Sequence, residues 1–183
     1  MSAETETTIR FLHILAGITW IGLLYFFNLV NAPVFKFTMK KPVPVNMAAT
    51  ASRDITLKAL WWFRWGAAFT VLFGVILMDQ VAQRLGGWEI YTETSAFRVI
   101  AVGAGLGLIM FFNVWFIIWP NQQVMQGNNL KIEQGAANAD ALKAENATRA
   151  AKVKMASRFN FWASMPMLLF MVFAAHSPDT FGF

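Results

Sequence analysis

Apolar and polar positions along the chain divide into four long apolar runs separated by polar connections. The runs lie near residues 9–31, 60–80, 97–119 and 158–176. Each is close to the ~20 residues, at ~1.5 Å per residue, that an α-helix needs to cross a bilayer. Pro33 and Pro120 are read as the stops of the first and third runs, and Pro178 lies just beyond the fourth. No run alternates with the period of a barrel strand, so helices with internally satisfied backbones are predicted. The expected fold class is all-α: one integral membrane domain over residues 1–183, arranged as a four-helix bundle.

Between the third and fourth runs lies a polar connection, residues 121–157, rich in Ala, Asn, Lys and Glu. From about Ala139 its composition favours helix, so the fourth helix is expected to extend well beyond the membrane. Gly103, Gly105 and Gly107 sit inside the third run and lack the strand-turn-helix setting of a phosphate cradle. Close helix packing at Gly103 and Gly107 is expected instead. Glu4 and Glu6 make the leader acidic, the first run is too long for a secretory signal, and no small-residue cleavage site follows. The first helix is therefore expected to remain in the mature protein.

Composition agrees with the pattern. Hydrophobic residues make up 57% of the chain and charged residues only 14%, against roughly 25% charged in an ordinary soluble domain. Disorder is excluded on the same grounds. The net charge of +5 would suggest nucleic acid in a soluble domain, but its distribution says otherwise. Twelve of the fifteen cations, with four acids, fall on the side of the connections 32–59 and 121–157, giving that side a net +8. The other side has Arg10, Arg84 and Arg98 against six acids and is net −3. The positive-inside bias places the basic connections in the cytoplasm and both termini outward, in the periplasm of a Gram-negative cell. The expected location is the bacterial inner membrane, with the lipid bilayer as partner and no nucleic acid.

The chain has no cysteine, which excludes disulfides, zinc-thiolate sites, iron-sulfur clusters and covalent c-type haem. Its two histidines are His13 and His176. His13 lies twenty residues before Pro33 and His176 eighteen after Arg158, or ~30 Å and ~27 Å along ideal helices. Both therefore fall at nearly the same depth, near the outward face. Two imidazoles on different helices at one depth suit the axial positions of a b-type haem. The structural alternative for each is a histidine hydrogen-bonded to a carbonyl. His13, Gly17, Trp20, Leu24, Asn28 and Asn31 form one stripe expected to face the bundle. His176 instead aligns with Met165, Leu169 and Val172, away from Asn160 and Ser164, which makes it the weaker candidate.

Arg10 and Arg98 are candidate contacts for haem propionates, with interfacial anchoring or pairing near Glu93 as the alternative. Arg64, in LWWFRWG, reads as a guanidinium in an aromatic interfacial belt, with an anionic ligand or quinone site as the functional alternative. Asn28, Asn31, Asn113 and Asn160 are expected to tie helices together.

The stretches FLHILAGITWIGLLYFFNLVN, LWWFRWGAAFTVLFGVIL, MFFNVWFIIWPNQQ and ASRFNFWASMPMLLFMVFAAH resemble the membrane domain of the bacterial membrane-bound, cytochrome-c-linked urate oxidases. Asn113 to Gln122 is the most specific piece. The resemblance implies histidines at His13 and His176 in the first and last spans, and a haem-linked redox role. That family carries about twice as many membrane helices and a c-type cytochrome domain, which a cysteine-free chain of four spans does not supply. The chain is accordingly expected to act as a homo-oligomer or as a subunit of a larger membrane complex, with a c-type cytochrome as a possible partner. A weaker resemblance is to the small haem-binding protoporphyrinogen oxidase of bacterial membranes. The expected function is haem-b-dependent electron transfer; the alternatives are a haem-free structural subunit and a membrane oxidase acting on urate or protoporphyrinogen.

Overall fold

Gly66, Thr70 and Gly74 recur at four-residue steps and so line one face of the second span. Small residues on a face let another backbone come close, and that contact drives helix association where no hydrophobic effect operates. The computed structural model, which describes residues 3–31 and 45–176 with side chains from 4–31 and 55–176, shows the consequence. A Cβ added at Gly66 would stand 3.2 Å from the Trp20 nitrogen and 3.4 Å from the Ala16 carbonyl. The first two spans therefore pack almost backbone to backbone.

Helix α1 (Ala3–Tyr25) runs on into a π-helical segment, Phe26–Asn31. Helix α2 spans Val45–Arg84, and the turn after it uses Gly86 and Gly87 at φ +103° and +124°, where side chains with a Cβ are strained. Helix α3 (Trp88–Glu93) leads to α4 (Ser95–Phe112), a second π-helical segment (Asn113–Ile118) and α5 (Trp119–Glu133). Helix α6 covers Ala139–Ala175. The described residues contain no strand, and the fold is all-α as expected.

Four helical stretches are long and apolar enough to cross a membrane: Glu4–Asn31, Ile55–Arg84, Ser95–Glu133 and Ala139–Ala175. The first three contain the expected runs, and the fourth ends at Ala175, one residue short of the expected limit. Only 17% to 28% of each apolar window is buried within the chain, so most of this apolar surface faces lipid and the protein is a multi-pass membrane protein. Phe11, Ile14 and Ile18 of α1 and Phe69, Leu72 and Val75 of α2 are exposed in this way.

Two expectations change. Pro120 does not close the third span; the chain stays helical through it to Glu133. Proline lacks an N–H, and its ring collides with the carbonyl four residues back, which is that of Phe116. The backbone meets this by widening to π turns over Asn113–Ile118 just before the proline. Asn121 Nδ2 then donates to the Ile117 carbonyl at 2.7 Å. The connection 121–157 is correspondingly more ordered than its composition suggests. Helices α5 and α6 form a hairpin, with α6 beginning at Ala139 as predicted. Pro33 and Pro178 lie outside the described residues.

Helix α1 packs most extensively along α2, and α4 along α6. In the second pair, a Cβ at Gly103 would stand 3.2 Å from Phe170 Cβ and 3.3 Å from the Met167 carbonyl, which is the close packing expected there. The apolar core between the pairs is built from Trp20, Leu24, Phe63, Met110, Val114 and Met167 with their neighbours, and it sits toward the α5–α6 hairpin. Polar ties reinforce it. Asn160, fully buried, donates to the Met110 carbonyl at 3.0 Å and accepts from Asn113 at 2.8 Å. Asn28 Nδ2 lies 2.9 Å from Ser157 Oγ and 2.9 Å from the Leu24 carbonyl.

Candidate functional site

The core ends on α1 at Trp20, and His13 lies seven residues beyond it, ~10 Å nearer the end of the bundle where α1 begins and α6 finishes. At that end the buried residues of α2, α4 and α6 include the small Ala82, Ala96, Gly103 and Ala174. On the short helix α3, Tyr91 is buried as well.

His13 is half-buried against α2. Its Nδ1 lies 2.9 Å from the carbonyl oxygen of Thr70. A carbonyl can only accept, so Nδ1 carries the proton, and in the neutral ring Nε2 keeps its lone pair. This is how histidine ligands are commonly held, with one nitrogen fixed by a backbone acceptor and the other presented. Gly74 makes room for the ring, since a Cβ there would stand 3.1 Å from His13 Cε1 and 3.4 Å from Nδ1. The Thr70 hydroxyl points the other way and donates to the Gly66 carbonyl at 2.7 Å. Thr70 and Gly74 escape a reading of candidate ligands; the four-residue spacing of Gly66, Thr70 and Gly74 is the sequence signal that could have found them.

One turn before His13, Arg10 Nη2 bonds Glu6 Oε1 at 2.8 Å, and Arg84 Nη1 approaches Glu6 Oε2 at 3.3 Å. Two guanidinium groups thus share one carboxylate, and the cluster beside His13 keeps a net positive charge. Arg98 stands apart at the start of α4, where its Nη2 reaches the Glu93 carbonyl at 3.4 Å.

His176 follows the last turn of α6 and is exposed. Its Nδ1 lies 2.8 Å from the Val172 carbonyl of its own helix. Met165, Leu169 and Val172, on the same stripe, are exposed too, whereas Asn160 and Ser164 are buried. The two histidines thus stand in different settings, one clamped between helices and one on an outer face.

Among the described residues no group of three or more His, Cys, Asp or Glu side chains could hold a bare metal ion. A porphyrin brings its own ring nitrogens and asks the protein for only one or two axial ligands. His13, with Nδ1 on the Thr70 carbonyl, leaves Nε2 as a nitrogen of the type that can serve as one. Compared with known protein families, curated proteins and solved structures, the chain matches none.

Proposed function

We propose that the protein binds b-type haem through His13 near the outward face of a bacterial inner membrane and serves in electron transfer, as a homo-oligomer or as a subunit of a larger membrane complex. The observation that carries this reading is the clamp on His13: its Nδ1 proton is held by the Thr70 carbonyl, Gly74 clears space beside the ring, and Nε2 keeps its lone pair. The cationic Arg10–Glu6–Arg84 cluster one turn away adds to it. So does the resemblance of the four spans to the membrane domain of the cytochrome-c-linked urate oxidases.

When bound, haem supplies a one-electron couple. The chain's own residues do the rest. Thr70 fixes the ring orientation of His13 and, by accepting from Nδ1, raises the electron-donating power of Nε2. Arg10 and Arg84 offer charge-assisted donors to carboxylates at the interface, with Arg98 as a further candidate on α4. His176, on an outer face, is the second ligand only where another chain or copy covers that face.

Orientation belongs to the same proposal: the basic connections lie in the cytoplasm and both termini outside. Oxidation of urate or protoporphyrinogen is a narrower version of it. The reading from another class is a haem-free structural subunit, for which the Thr70–His13 bond would be a helix tie and the exposed apolar faces the contacts to partners. A reduced-minus-oxidised difference spectrum of the detergent-purified protein separates the two: haem bands that disappear in His13→Ala support the proposal, and well-folded protein without bands, made with adequate haem supply, supports the structural subunit.

A further inference from the structure

Arg64 stands apart from the His13 site, at the hairpin end of the bundle, and its surroundings are unusual for a charge. The guanidinium carbon lies 4.2 Å from the ring centre of Trp119, 4.8 Å from that of Trp115 and 5.4 Å from that of Trp65. These residues come from α2, the second π-helical segment and the start of α5, so the cage is assembled by the fold and not by one helix. Trp65 and Trp115 meet edge to face at 5.6 Å. Inside the cage the Arg64 Nε and the indole Nε1 atoms of Trp65 and Trp115 are all buried and lack hydrogen-bond partners. Among the described residues Arg64 forms no ion pair.

Three indole faces attract a cation, but they offer no acceptor to an N–H and no opposite charge. Buried donors without acceptors are costly, more so when one is charged. Every buried unmet group here is a donor, and Arg64 is only partly buried, so an anion reaching the guanidinium from the bilayer surface supplies both an acceptor and the opposite charge. A quinone carbonyl would accept a hydrogen bond but leave the charge uncompensated. The cage lies where an apolar span gives way to the polar hairpin, next to Trp62 and Phe116, which are 59% and 68% exposed. That is the depth of lipid headgroups, with surface for acyl chains beside it.

We propose that Arg64, Trp65 and Trp115 form a binding site for the phosphate of an anionic phospholipid in the leaflet on the hairpin side. The site is independent of the haem reading. The lipid phosphate accepts from Arg64 and the two indoles and offsets the guanidinium charge, while its acyl chains lie along the exposed aromatic surface. Bound lipid also joins α2 to the α4–α5 helix, which otherwise meet through few residues.

The test is native mass spectrometry of delipidated, detergent-solubilised protein titrated with phosphatidylglycerol, with phosphatidylcholine, or with inorganic phosphate alone. The proposal expects one tightly held phosphatidylglycerol, bound about tenfold more weakly by Arg64→Gln. Arg158→Gln, which removes an exposed cation at the same end, is expected to bind like the wild type. Should Arg64→Gln fail to fold, Trp115→Phe keeps the ring, removes one donor, and is expected to weaken binding by a smaller factor. Equal affinity for the two lipids, equal losses in the Arg64 and Arg158 variants, or unchanged binding in both cage variants would overturn the site. Binding of inorganic phosphate as tight as that of phosphatidylglycerol would overturn its assignment to lipid.

Discussion

His13 and Thr70 are joined across the α1–α2 interface by a 2.9 Å contact between an imidazole nitrogen and a backbone carbonyl. The partner is the main chain of α2, and the Thr70 side chain is occupied elsewhere, on Gly66. Ring orientation at His13 thus depends on how closely the two helices approach and only weakly on which side chain stands at position 70.

That dependence gives the first prediction. Thr70→Val should retain haem at near wild-type level, because the carbonyl remains. Gly74→Leu should lower haem content at least tenfold, because its branches would enter the space of a ring that a Cβ alone already approaches to 3.1 Å. Haem-to-protein ratios by pyridine haemochrome measure both.

The two histidines should separate. In the isolated protein, His176→Ala is expected to leave haem content unchanged, since its ring bonds the carbonyl of its own helix on an exposed face. A loss as large as that in His13→Ala would place His176 on the iron as well.

Asn160 is expected to matter for stability. It is fully buried and bonded both to Asn113 and to the Met110 carbonyl, and interhelical hydrogen bonds in membranes contribute about 1 kcal/mol. Asn160→Leu should lower the thermal midpoint in detergent by a few degrees. Adding Asn113→Leu should cost less than the two single changes together, because they share one bond.

Topology can be read at two turns. A reporter inserted at Gly135, between α5 and α6, should report a cytoplasmic location, and one at Gly87, between α2 and α3, an external one. The reverse pattern would move His13 to the inner face and remove the outward haem site from the account.

Much of this architecture is legible in the sequence because bilayer length and period are strong constraints: all four spans fall where the apolar runs place them, and the Trp20–Leu24–Asn28 stripe faces inward. Gly103 likewise announces the α4–α6 contact. Pro120 misleads, since proline is usually a stop and only the preceding π turns show how a helix can pass it. Helix α5 is obscured by its polar surface; it is held by a network unrecognisable from spacing, in which buried Asn128 donates to Glu145 and Asn146 and Arg149 reaches Asn121. At the candidate site, His13 is visible by its rarity in an apolar span. Its partner is a carbonyl, which no side-chain pattern encodes, and the cage around Arg64 needs Trp115 and Trp119 brought from a distant helix.

The central claim is that His13 holds a haem. The most direct measurement is the reduced-minus-oxidised spectrum of detergent-purified, well-folded protein produced with ample haem, wild type beside His13→Ala. The account predicts b-type bands in the wild type that are lost or shifted in the variant; a wild type without bands, or a variant with an unchanged spectrum, would contradict it.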